Sequence, residues 1–181
     1  IKNNVPKFSI ITSTLNRGGA ERQVALTLKG MYERGFNCYL AIDRKANDKK
    51  TYLKDLHSIK NQIEILSDID IEDKNISGYE FIEENIELLN LLNSTTKNKI
   101  KRLVSYFIRN KPDVIHAWQD ETILTAFVAC CLTDRPQLIG SARSLRPDEK
   151  SELHIRKRPY LRECMKMILE KDWFTFTINS K

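Results

Sequence analysis

The chain has 181 residues, 41% of them hydrophobic and 30% charged, with a formal net charge of +6. That length supports one sizeable domain with its own core, and no apolar run approaches the roughly 20 residues that span a bilayer. The four cysteines, Cys38, Cys130, Cys131 and Cys164, form no CxxC pair and have no His at ligand spacing, which argues against a disulfide framework or zinc site and for reduced thiols.

In chain order, KFSIIT at 7–12 reads as a buried strand. From Ala20 to Arg34 the residues Val24, Leu28, Met31 and Tyr32 share one helical face, with Arg22, Gln23, Lys29 and Glu33 mostly opposite. Gly35 then ends the helix as its C′ glycine. NCYLAI at 37–42 is a second strand, the Lys-rich segment 43–61 a loop with one helical turn, and QIEIL at 62–66 a short third strand. Residues 67–79 are acidic and irregular, after which Phe81, Ile82, Ile86, Leu89 and Leu92 define an amphipathic helix. STT at 94–96 caps a helix over 97–110, with Ile100, Leu103, Val104, Phe107 and Ile108 inward and Lys97, Lys99, Lys101, Arg102 and Arg109 outward. Pro112 prevents its continuation. DVIHAW at 113–118 is the fourth strand, ETILTAFVACCL at 121–132 a buried helix, and QLIGS at 137–141 the fifth strand. A last helix follows Pro159 with Leu161, Cys164, Met165, Ile168 and Leu169 inward, and FTFTIN at 174–179 is a sixth strand.

Strands separated by helices imply right-handed crossovers and a parallel sheet covered on both faces: an α/β, Rossmann-like, doubly wound domain. Ligands in such folds sit beyond the carboxyl ends of the strands, which directs attention to the loops 13–20, 116–121 and 141–148. In the first, Gly18 and Gly19 stand where strand one hands over to helix one. They make either a tight turn or a bare backbone that lets an anionic oxygen reach the helix N-terminus. The spacing is neither GxGxxG nor a P-loop. Glu21 and Arg22 either line the cleft or begin a helix whose first turn favours an acid. Past strand five, Arg143 and Arg146 offer two guanidinium forks to a diphosphate or acidic acceptor; the alternative is a solvated basic loop beside Asp148 and Glu149. His116, at the end of strand four, is either a satisfied structural group or a cleft residue.

The run GGAERQVALTLKGMYERGFNCYLAI resembles the first βαβ unit of glycosyltransferase family 4, whose members have the two-domain GT-B fold. KPDVIHAWQD, SARSLRP and TINSK are similar to that family's fourth-strand motif, fifth-strand loop and approach to the interdomain hinge, so the likeness runs from residue 7 to 181. It implies that 1–181 is the amino-terminal, acceptor-side domain and that the carboxy-terminal donor-binding domain, with its E-x(7)-E carboxylates, is absent from this chain. It further implies that Gly18, Gly19, Glu21, Arg143 and Arg146 meet donor phosphate or acceptor, and that His116, Trp118 and Asp120 are candidate catalytic residues. Where the family commonly has His-Ala-His, this chain has His116-Ala117-Trp118, so the sugar contact falls to Trp118, Gln119, Asp120 or His116. The implied reaction is retaining transfer of a sugar from a nucleotide-sugar to a polysaccharide or glycolipid acceptor. It needs no metal and no cofactor, and donor phosphate is the proton acceptor.

The basic balance favours anionic partners. The basic faces at 97–110 and 156–162 are either solvated or dock on an anionic membrane surface, where each Lys or Arg contributes about 1 kcal/mol. The start, IKNNVPKF, lacks an apolar h-region, so the expected location is the cytoplasm, peripheral on the inner face of the cell membrane. A rival reading is a non-catalytic Rossmann-like module binding a nucleotide or another anionic ligand. No nucleic-acid partner is expected, because no surface aromatics alternate with the basic residues and no binding motif is present.

Overall fold

The computed structural model describes residues 5–44, 51–68, 94–133, 137–142 and 159–178, with the side chains of 159–163 and 178 excepted. The expected helix at 81–92, the loop bearing Arg143 and Arg146, and the basic residues 156–158 lie outside that set. Among the described residues six strands are formed: β1 (Lys7–Thr12), β2 (Asn37–Ile42), β3 (Ile63–Ile65), β4 (Val114–Trp118), β5 (Gln137–Ala142) and β6 (Phe174–Ile178). They make one sheet in the order β3-β2-β1-β4-β5-β6, every pairing parallel. The helices are α1 (Gly19–Glu33), α2 (Ser94–Asn110), α3 (Asp120–Cys131) and α4 (Pro159–Leu169). The expected α/β, Rossmann-like, all-parallel sheet is the fold of this chain.

Successive strand residues face opposite sides, so the adjacent isoleucines of β1 serve different cores. Ile11 joins Ala41, Ile115, Ala117 and Leu138 in a cluster with residues of α2, α3 and α4. Ile10 joins Leu40, Ile42 and Trp118 in a second cluster with Val24, Ala25 and Leu28 of α1. Helix α1 ends as expected. Gly35 takes φ 77°, the Phe36 N–H donates to the Met31 carbonyl (3.1 Å) and the Gly35 N–H to that of Tyr32 (2.9 Å), the paired bonds of a Schellman motif.

Two expectations need correction. The stretch before β3 is more than a loop with one turn: Leu53–Gln62 forms 3-10 structure interrupted at Leu56 and Ile59, the two residues it buries. Tertiary burial of those side chains holds turns that their polar neighbours do not announce. Helix α2 starts at Ser94, so STT is its first turn, and its buried face is rotated from the expected one. Tyr106 is buried and shares a 3.0 Å hydrogen bond with Ser9 Oγ, whereas Ile108 is exposed. Lys99 turns inward, its side chain 14% exposed, and Arg109 is spent on an ion pair with Glu64. The cationic face of α2 is therefore narrower than the sequence pattern alone suggests. No described helix is long and apolar enough to cross a membrane.

Candidate functional site

The sheet order reverses at β1. That strand leads into α1 on one face, while its neighbour β4 leads into α3 on the other, so a crevice opens beyond their carboxyl ends. Gln119 stands in this crevice, between β4 and α3. Its backbone has φ 76° and ψ 146°, close to a region that is almost exclusively glycine's and costs about 1–3 kcal/mol. Its neighbours hold it there. The Gln119 N–H donates to the Ser141 carbonyl (3.0 Å), and its own carbonyl accepts the Ile123 N–H (2.9 Å). The side chain that results spans the crevice: Ser13 Oγ donates to Gln119 Oε1 (2.8 Å), and Gln119 Nε2 donates to Glu21 Oε1 (3.0 Å).

Glu21 belongs to the first turn of α1 and folds back over Gly18. Gly18 is extended (φ −143°, ψ 169°), a conformation any residue adopts. What its missing Cβ supplies is room, because an added Cβ would overlap the Glu21 carboxylate. Gly19 is the first residue of α1, and no side chain caps that helix end.

On the α1 face of β4, β5 and β6 runs a polar ladder. His116 Nε2 lies 2.7 Å from Ser141 Oγ, which lies 2.5 Å from Thr177 Oγ1. Burial lowers the His116 pKa from its ordinary 6.5 to about 4, so the ring is neutral at physiological pH and a weak base. Its ring centroid is 5.0 Å from that of Trp118. Trp118 is 8% exposed, packed in the α1-side core, and its buried indole N–H has no acceptor among the described residues. Little of the ring is open to a sugar face. Asp120 opens α3 and lines the crevice on the opposite side of the sheet.

That opposite side holds a cavity of about 290 Å³. Its floor is Ile11, Leu66 and Leu103; Ser13, Gln119, Thr122 and Thr125 form part of its wall. Three charged residues that sequence reasoning passed over meet there. Lys99 Nζ is 2.6 Å from Glu121 Oε1 and 3.4 Å from Asp43 Oδ2. Asp43 is 8% exposed, and among the described residues its Oδ2 makes no hydrogen bond, although Arg44 Nε also stands 3.6 Å away. Asp43 had a legible signal, since it directly follows NCYLAI at the carboxyl end of β2. Lys99 had none, being one lysine among several on a helix. The structure thus brings Gly18, Glu21 and Gln119 together, places Asp120 beside Gln119 in the lining of the cavity, and leaves His116 and Trp118 on the α1-side face of β4. Arg143 and Arg146 lie outside the described residues.

No protein-family model matches the sequence, and no curated protein sequence is detectably similar to it. Solved structures do resemble the fold. A UDP-N-acetylglucosamine 2-epimerase is 14% identical, with 90% of this chain and 40% of that chain covered and a TM-score of 0.53. A Listeria monocytogenes protein described as the same kind of enzyme is 16% identical, covering 89% and 36%, at a TM-score of 0.50. The Methanocaldococcus jannaschii UDP-GlcNAc 2-epimerase, solved with UDP-GlcNAc and UDP, is 16% identical over 87% and 38% and, at a TM-score of 0.42, too loose a match to argue from. The chain therefore spans well under half the length of the structures it resembles. These neighbours share the GT-B, Rossmann-like fold with glycosyltransferase family 4.

Proposed function

We propose that the chain is the amino-terminal, acceptor-side half of a retaining GT-B glycosyltransferase that moves a sugar from a nucleotide-sugar to a polysaccharide or glycolipid acceptor. The observation that carries this reading is the Gly18–Gly19 corner. Gly18 is the N-cap of α1 and has the extended backbone of that position. The first turn of the helix that follows has N–H groups that no side chain caps, and an anion reaching them would displace the Glu21 carboxylate that folds over Gly18. Such groups suit an anionic oxygen of the donor diphosphate. Glu21, tied to Gln119, orients one wall, and Arg143 and Arg146 are proposed to meet the same diphosphate or an acidic acceptor.

In this scheme Asp120 borders the reacting sugar, while His116 and the buried Trp118 support the cleft from the α1-side face of β4. A neutral His116 acts as a hydrogen-bonding group and not as the base. The C–O bond to the diphosphate breaks while the acceptor hydroxyl bonds to the same face of the sugar, and the hydroxyl proton passes to the leaving phosphate. The scheme uses no metal and no organic cofactor. The donor-binding half belongs to a further domain, and the enzyme works in the cytoplasm at the membrane's inner face. A second reading is favoured by the solved neighbours, namely epimerisation of a nucleotide-sugar without transfer.

The test is the full-length gene product incubated with labelled UDP-sugars and membrane extract, as wild type and as Gly19→Val. Label moving into lipid or glycan, and lost in the variant at unchanged melting temperature, is the expected result. Epimerised nucleotide-sugar with no transfer would install the second reading, and neither product would leave a binding module.

A further inference from the structure

The cavity behind β1 opens on the α2–α3 side of the sheet and shares Ser13 and Gln119 with the crevice beside the glycine corner. We infer that it is a sugar subsite holding one neutral, hydroxyl-rich ring, either the accepting sugar or the one transferred; this rests on the sugar-transfer reading above. Its volume of about 290 Å³ sits at the lower edge of small-molecule sites, roughly 300–1,000 Å³, which suits a single ring and not a whole nucleotide-sugar.

The lining has two characters. Ile11, Leu66 and Leu103 present an apolar surface, the complement of a ring's C–H face. Asp43, Lys99 and Glu121 present acceptors and a donor at close quarters, and a hydroxyl is the group that both donates and accepts. Asp43 Oδ2 makes the case specific. Among the described residues this buried carboxylate oxygen has ion-pair neighbours, Lys99 Nζ at 3.4 Å and Arg44 Nε at 3.6 Å, but no hydrogen bond, and a sugar O–H is a donor that fits.

Charge excludes the competitors. Asp43, Asp120 and Glu121 outnumber Lys99 and Arg44, so a phosphate meets net repulsion. A divalent cation finds its place taken, because the Lys99 ammonium already stands between Asp43 and Glu121. Among the described residues no three His, Cys, Asp or Glu side chains are arranged to hold a metal.

The experiment is an amide-shift titration of the ¹⁵N-labelled 181-residue chain. The probes are the methyl glycosides of glucose, galactose, mannose and N-acetylglucosamine, then inorganic phosphate, UDP and UDP-sugars. At least one methyl glycoside is expected to shift the amides around Asp43, Lys99 and Glu121 with a dissociation constant of about 1 mM, as ligand size allows. Asp43→Asn should weaken it about tenfold. Shifts produced by a UDP-sugar but by neither UDP nor any methyl glycoside assign the ring to the donor and equally support the subsite. If Asp43→Asn does not fold, Thr122→Leu obstructs the cavity without touching its charges and should also abolish binding. The inference is overturned if no sugar shifts these amides, if phosphate does, or if sugar binding survives the folded variants. Transfer by the full-length product with a silent cavity sinks the subsite alone. A sugar bound here with no transfer sinks the function alone.

Discussion

At the scale of single residues, His116 shows how burial converts sequence into chemistry. Removal from water lowers its pKa to about 4, so between pH 6.5 and 4 the unfolded chain binds a proton that the folded one refuses. The sign follows: stability is complete above pH 6.5 and falls as the pH drops through that window. The slope approaches 1.4 kcal/mol per unit, for a loss on the order of 2–3 kcal/mol. Urea unfolding at pH 7, 5.5 and 4.5 should show the fall in the wild type and a shallower one in His116→Gln, whose amide does not titrate. Equal slopes would place the acid sensitivity elsewhere. Gln119 is the residue whose role could not be seen in the sequence. Nothing in the string HAWQDE signals a positive φ, because β5 and the start of α3 impose that backbone from outside the local segment.

At the scale of elements, helix α1 offers a paired test of two glycines that look alike in sequence. Gly35 holds φ 77° at a Schellman end, where a side chain is strained, so Gly35→Ala should destabilise by about 1 kcal/mol. Gly30 lies inside the helix, and an added Cβ would meet only the end of the exposed Arg34 side chain, so Gly30→Ala should stabilise by about 0.5–1 kcal/mol. Denaturant midpoints give both signs directly; a shift in the same direction for both would refute the assignment of α1's end. The elements as a class were legible because period and punctuation agree. Apolar runs of strand length alternate with helical stripes, and Gly35 and Pro112 stop helices where expected. What escaped was decided between elements. Packing on α3 turns Lys99 inward, and burial of Leu56 and Ile59 makes structure out of a stretch that reads as loop. The site divides the same way: the glycine corner was visible as a motif, whereas the Asp43–Lys99–Glu121 grouping joins β2, α2 and α3 and exists only once they meet.

At the scale of the whole molecule, the sheet order sets what this chain can do by itself. On the proposed function, the 181-residue chain carries one wall of a cleft whose donor side belongs to another domain. It should bind ligand yet show little or no transfer when assayed alone with UDP-sugar and membrane extract. Robust turnover by this chain would overturn the division of labour. The same order governs how the molecule is born. One flank of the central strand is soon closed by β2, but on the other Phe8 must wait for Val114, far later in the chain. Until the ribosome has delivered β4, the nascent chain carries β1 with one edge open. Closing that long loop is paid in entropy before any contact repays it, which makes folding slow relative to local helix formation. A chain arrested just short of Val114 is then the species most exposed to strand-to-strand aggregation.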